Sequence, residues 1–239
     1  MLSKILFAPL LAAVPGIAAA EAFPESYAEC RTADDPVAGV AACQDALKSS
    51  GLLQVERARA YLMLAKYQQQ TGAFQSALES VDEAGAIAPN APDIPAQRAI
   101  VLHSLGDLSG ASAAHARAFE LGPETATLLN NRGVTRLALG DTAAAIADFD
   151  AALSLFQDGT ILENRSLARC RAGDVDASVA DRLAAMELNG TGAEELEAVI
   201  RASGFEGGLT PSAAEADAAS ALTRWTAAGC PGAPAAQFF

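Results

Sequence analysis

Aromatic residues are scarce in this 239-residue chain, at 5% of the sequence, and histidine occurs only twice. So few rings would leave a β-sandwich underfilled, because such cores rely on ring and branched side chains. Helices that approach closely suit the composition better, since 51% of the residues are hydrophobic and alanine dominates among them. His103 and His115 are too few for a histidine-based metal centre, and the cysteines show no paired Cys-x-x-Cys spacing, so no metal site is expected. The sequence also has no nucleophile elbow, no His-Glu-x-x-His, no phosphate loop and no dinucleotide-binding glycine motif. No catalytic residues and no cofactor are therefore expected.

Positive charge is in short supply as well, with 16 Lys and Arg against 29 Asp and Glu, a formal net charge of −13. A surface of that sign repels phosphate backbones and anionic headgroups, which argues against nucleic acid and membrane surfaces as partners. Long apolar runs are missing except near the start. There Lys4 precedes the apolar stretch Ile5 to Val14, followed by Pro15-Gly16 and Ala18-Ala19-Ala20. This pattern predicts a secretory signal over 1–20, cleaved after Ala20, and a periplasmic location for the rest of the chain. The stretch falls short of the roughly 20 apolar residues that cross a bilayer, so no stable membrane insertion is expected after cleavage.

What the sequence does contain is a repeat. Gly72, Gly106, Gly140 and Gly173 are separated by 34, 34 and 33 residues, a period typical of helical-hairpin solenoids. With each glycine as position fifteen, the units are 58–91, 92–125, 126–158 and 159–192. Position eight is then Ala65, Ala99, Gly133 and Ser166, position twenty is Ala77, Ala111, Ala145 and Ser178, and position twenty-seven is Ala84, Ala118, Ala152 and Ala185. Small residues belong where two antiparallel helices cross, because bulk on either helix would hold them apart.

These segments resemble the tetratricopeptide repeat. The resemblance is carried by the small positions, by Tyr61 and Leu64, by Leu128-Leu129-Asn130-Asn131-Arg132-Gly133, by Ala145-Ile146-Ala147-Asp148-Phe149, and by Pro89 and Pro123 after the second helices. The sequence departs from the family pattern at Gln157 and Gly190, where the terminal proline is usual, and at Pro95, where an aromatic is usual. The resemblance implies an all-α, right-handed α-solenoid of antiparallel hairpins, with a degenerate N-terminal capping hairpin over 21–57 and a C-terminal helical cap over 193–230, leaving 231–239 as a mobile tail.

An exported chain with four cysteines is expected to carry two disulfides, for which three pairings exist. Extending the repeat register back by one unit puts Cys30 at position seven and Cys43 at position twenty, which face each other within a hairpin. Asp34-Asp35-Pro36 would form its turn, with Pro36 opening a second helix that runs from about Val40 to Leu53. The register thus predicts Cys30 with Cys43, leaving Cys170 with Cys230, a bond that would draw the C-terminal part across the last repeat. The segment after Gly192 also resembles a small peptidoglycan-binding domain, through its Gly204-Phe205-Glu206-Gly207 loop and Trp225, although it lacks the Asp-Gly usual there. A plain capping helix pair accounts for the same pattern. Phe205 and Trp225 are the candidate glycan contacts.

In the family register, positions two, five, nine, twelve and thirteen line the inner surface. They bring Arg59, Lys66, His103, Asn130 and Arg171 to one wall, which is slightly basic on an acidic chain and so suited to an acidic or C-terminal segment of a partner. Asn131 and Asn164, at position six, match family residues whose amides hold the backbone of an extended peptide. The following Arg132 and Arg165 have Asp148 and Asp181 within reach as structural partners. His115 stands where a core aromatic is usual and is expected to pack. The function implied is a periplasmic protein–protein interaction module that binds an extended segment of a cell-envelope partner. The alternative is a peptidoglycan-associated protein whose repeats recruit a partner.

Overall fold

The computed structural model describes residues 24–190, 223, 226–230 and 236–238, and among them every regular element is a helix. The expected signal over 1–20, nearly all of the 193–230 segment, Phe205 and Trp225 lie outside the described residues. Ten helices follow in order: α1 (Glu25–Thr32), α2 (Pro36–Lys48), α3 (Gln54–Gln70), α4 (Phe74–Ile87), α5 (Asp93–Ser104), α6 (Leu108–Leu121), α7 (Ala126–Ala138), α8 (Thr142–Leu155), α9 (Gly159–Ala172) and α10 (Val175–Asn189). They pair as consecutive hairpins, α1 with α2 through α9 with α10. The odd-numbered helices also touch one another in sequence, so they form a continuous wall. No helix among the described residues is long and apolar enough to cross a membrane.

The turn inside each repeat is built the same way. Gly72, Gly106, Gly140 and Gly173 all have φ between 80° and 84°, the left-handed region that a side chain disfavours. At Gly106 the glycine N–H donates to His103 O at 2.9 Å and the next N–H, of Asp107, reaches back to Leu102 O at 2.9 Å. These two bonds satisfy carbonyls that the ending helix would leave open. The residue after the glycine then opens the next helix. Asp107, Asp141 and Asp174 accept hydrogen bonds from the N–H groups of Gly110, Ala144 and Ala177, filling orphan donors of the first turn.

The small positions are all buried, and the alanines and serines among them are at most 1% exposed apart from Ser166 at 3%. Their size sets the spacing within each hairpin. At Gly133 an added Cβ would lie 2.6 Å from Phe149 Cε1, so the ring of Phe149 fills the space that a side chain would need. In the last repeat Ser166 and Ser178 replace alanines and satisfy each other: Ser166 Oγ donates to Ser178 O at 2.8 Å, and Ser178 Oγ to Ser166 O at 2.9 Å. Where the usual terminal prolines are missing, Gln157 Nε2 donates to Leu153 O at 2.7 Å, and Gly190, at φ 66°, closes α10.

The first hairpin is held by other means. Cys30 and Cys43 form a disulfide with a Cα–Cα distance of 4.5 Å, and both are fully buried. Tyr67 of α3 packs its ring where Gly39 lacks a side chain, and its hydroxyl donates to Cys30 O at 3.1 Å. The second helix differs from the expected Val40 to Leu53. It begins at Pro36, capped by Asp35, and stops at Lys48. Arg57 explains the early stop by donating to Leu47 O and Ser49 O, both at 2.7 Å, so a side chain from α3 satisfies carbonyls that a longer helix would have used.

Candidate peptide-binding wall

α7 and α9 lie side by side and present Asn130, Asn131 and Asn164, all at most 2% exposed. The three amides form a ladder. Asn130 Nδ2 donates to Asn131 Oδ1 at 3.3 Å, and Asn164 Nδ2 donates to Asn130 Oδ1 at 2.8 Å. The ladder is not closed on itself, because the backbone of Gln237 lies against it. Gln237 N donates to Asn164 Oδ1 at 2.8 Å, while Asn164 Nδ2 and Asn130 Nδ2 donate to Gln237 O at 2.7 Å and 3.1 Å. Both polar groups of one peptide residue are thereby satisfied by side chains, an arrangement open to an amide because it donates and accepts at once.

The neighbouring residues of that segment are apolar contacts. Ala236 and Phe238 pack against the buried cluster that includes Leu129, Val134, Leu137 and Leu162. The Phe238 ring meets His103 of α5 edge to face, with centroids 4.6 Å apart and planes at 83°, a favoured geometry for aromatic pairs. Residues 231–239 are expected from the sequence to be a mobile tail, yet 236–238 are seated on the inner wall. Gln237 and Phe238 are the residues at this candidate site that sequence reasoning missed.

Behind the ladder, His103 and His115 share Thr135. Its hydroxyl donates to Asn131 O at 3.3 Å, while His115 Nε2 and His103 Nδ1 lie 3.1 Å and 3.4 Å from its oxygen. The hydroxyl has one proton to give and two lone pairs to offer, so these three contacts share a single hydroxyl donor, and the tautomers of the two rings decide which of them donate. His115 Nδ1 is buried with no hydrogen-bond partner among the described residues. Burial, reinforced by the nearby Arg132, His103 and Arg136 charges, lowers the His115 pKa to about 4, so the ring is neutral at physiological pH. Burial also lowers the pKa of His103.

The arginines that follow the asparagines hold the hairpins together. Arg132 and Arg136 of α7 both pair with Asp148 of α8, and Arg165 and Arg169 of α9 both pair with Asp181 of α10, at 2.6–2.8 Å. The aspartate side chains are only 4% exposed. Arg132 also stacks 3.9 Å above the Phe119 ring of α6, linking adjacent repeats. Arg171 is exposed in the last turn of α9 and donates to Leu137 O of α7 at 3.4 Å. Arg59 and Lys66 are exposed on α3, two odd helices away from α7, so the structure gathers the asparagines and His103 around the bound segment but not these two cations.

Cys170, also on α9, is joined to Cys230 by a second disulfide, with a Cα–Cα distance of 6.5 Å. Among the described residues no three His, Cys, Asp or Glu side chains converge as metal ligands.

Residues 126–158, which carry Asn130 and Asn131, match the tetratricopeptide-repeat family model. The fold is a tetratricopeptide-repeat solenoid. It is similar to the thermophilic TPR protein TTC0263 of Thermus thermophilus, at 22% identity and a TM-score of 0.60, covering 71% of this chain and 89% of that one. It is also similar to MamA, at 19% identity and a TM-score of 0.54, with 68% and 94% covered. YrrB, described as a TPR protein with an unusual peptide-binding site, is similar at 16% identity and a TM-score of 0.50, with 72% and 91% covered. No curated protein sequence matches this chain.

Proposed function

We propose that this protein is an interaction module that grips an extended segment of another polypeptide along the wall formed by its odd-numbered helices. The observation that carries this reading is the Gln237 peptide unit held between Asn130 and Asn164. The clamp bonds main-chain atoms only, so it suits extended chains of many sequences. YrrB, whose description names a peptide-binding site, shares the fold and makes the reading consistent with a relative. The periplasm is the proposed location, with an envelope protein as partner. Two disulfides, Cys30–Cys43 and Cys170–Cys230, form and persist in an oxidising compartment, and the Lys4-led apolar start is of the kind that directs export.

The test is selection of binders from a random-peptide display library, followed by N-methylation of each backbone nitrogen of a selected peptide in turn. One methyl should abolish binding by removing the N–H that Asn164 Oδ1 accepts, and Asn164→Ala should weaken every selected peptide about tenfold. Selected peptides that bind Asn164→Ala as tightly as the unmodified protein would reject the clamp.

A further inference from the structure

The clamp explains how a backbone is held but not why this segment occupies it. Phe238 supplies a reason. Its ring is half-buried against the α7–α9 cluster and stands edge-on to His103, whose own orientation is fixed by Thr135. The wall thus has a position for an aromatic side chain immediately after the clamped residue, built from a buried apolar floor and an oriented ring. The segment is also tethered nearby. Cys230 is bonded to Cys170, which lies six residues from Asn164 on the same helix, about 9 Å along its axis. The seven residues from Cys230 to Gln237 reach up to about 23 Å, so the tether confines the segment near its seat with slack to leave it.

From this we infer that the wall recognises a peptide carrying an aromatic residue directly after the residue held by Asn164, and that the chain's own segment at Gln237-Phe238 is a resident competitor for that ligand. The inference rests on the peptide-binding reading and adds to it the side-chain specificity and the state of the free protein. Effective concentrations of short tethered segments are on the order of millimolar. A segment whose untethered dissociation constant is on the order of 100 µM would therefore weaken an incoming ligand about tenfold. A ligand with further contacts along the wall overcomes that handicap, whereas a random extended chain does not.

The experiment uses full-length protein and a fluorescein-labelled peptide reproducing residues 232–239, read by anisotropy. Phe238→Ala in the protein empties the aromatic seat, and Gln237→Pro, in a second variant, removes the N–H that Asn164 accepts. Either should bind the labelled peptide about tenfold more tightly than the unmodified protein does. The same peptide carrying Phe238→Ala should bind the Phe238→Ala protein at least about tenfold more weakly than the unaltered peptide. Equal affinity of the variants and the unmodified protein for the unaltered peptide would overturn the resident competitor. Equal affinity of the two peptides would overturn the aromatic specificity while leaving the backbone clamp standing. No binding of either peptide to either folded variant, judged by unchanged circular-dichroism melting, would remove the peptide-binding reading itself. A concentration-dependent dimer that Gln237→Pro abolishes would assign the segment to a second copy and overturn its action within one chain.

Discussion

Gly133→Ala places one methyl group where α7 packs against α8 in the third repeat. In an exposed helix this exchange stabilises by about 1 kcal/mol, because glycine loses more backbone freedom on folding. Here the new Cβ would sit 2.6, 2.9 and 3.0 Å from three ring atoms of Phe149, a fully buried side chain with no free end to swing aside. Either the ring leaves its rotamer or α7 moves away from α8 by a good fraction of an ångström, and overpacking of this kind costs about 1–3 kcal/mol. The expected net is a loss of about 1 kcal/mol, or a melting temperature lower by about 2–4 °C for a unit of this size. The corresponding positions of the first two repeats already carry Ala65 and Ala99, where Val81 and His115 stand in place of Phe149. Shrinking the ring should therefore relieve the clash. Phe149→Leu alone is destabilising, but combined with Gly133→Ala it should show a favourable coupling of about 1–2 kcal/mol in a double-mutant cycle. Thermal and urea melts of the four proteins measure it. A higher melting temperature for Gly133→Ala, or a coupling below about 0.5 kcal/mol, would refute the claim that Phe149 sets the distance between these helices. The same displacement would move Asn130, three residues away on α7, so peptide affinity should fall along with stability.

Four further outcomes follow from the packing. Asp181→Asn leaves Arg165 and Arg169 with only the exposed Asp150 as a charged partner, loses a carboxylate that is 4% exposed, and should cost about 2–3 kcal/mol in urea melts. Asp45→Asn, whose pair with Lys48 is exposed on both sides, should change stability by less than about 0.5 kcal/mol. Because the His115 pKa is depressed to about 4 in the folded state and is about 6.5 when unfolded, the unfolded chain binds more protons between those values. Stability from this group is therefore complete above pH 6.5 and is lost as pH falls towards 4, by about 2 kcal/mol at about pH 5. His115→Phe should flatten that slope, and an unchanged slope would mean other groups cause it. Cys30→Ser removes a cross-link spanning 13 residues and should cost about 3 kcal/mol, seen as faster hydrogen exchange in α1 and α2 before the later repeats.

Much of this architecture could be read from local chemistry. The glycine period was legible because only a left-handed residue ends each first helix, and the small positions were legible because sterics at a helix crossing admit little else. Asp107, Asp141 and Asp174 were an additional signal, since each follows its glycine and caps the next helix, and they mark repeat turns in this chain better than the glycines alone. The end of α2 was not legible, because it depends on Arg57 reaching its carbonyls from another helix. Nor was the seating of Gln237. Its partners Asn130 and Asn164 are 107 and 73 residues away in sequence, and a stretch of proline, alanine and glycine carries no periodicity that points to them. The only hint was composition, two adjacent phenylalanines at 238 and 239 in a chain otherwise poor in rings. Asn131 was expected to line the ligand site, and its Oδ1 accepts from Asn130 Nδ2, which in turn bonds Gln237 O.

The amide ladder also separates two tasks that many recognition surfaces assign to the same atoms. Asn164 bonds Gln237 through its backbone alone, while His103 meets the side chain of Phe238, so under the proposed function the choice among ligands would fall to positions such as 103. A lineage could therefore trade one client for another by changing a residue or two beside the ladder, keeping its handhold intact while its clientele drifts.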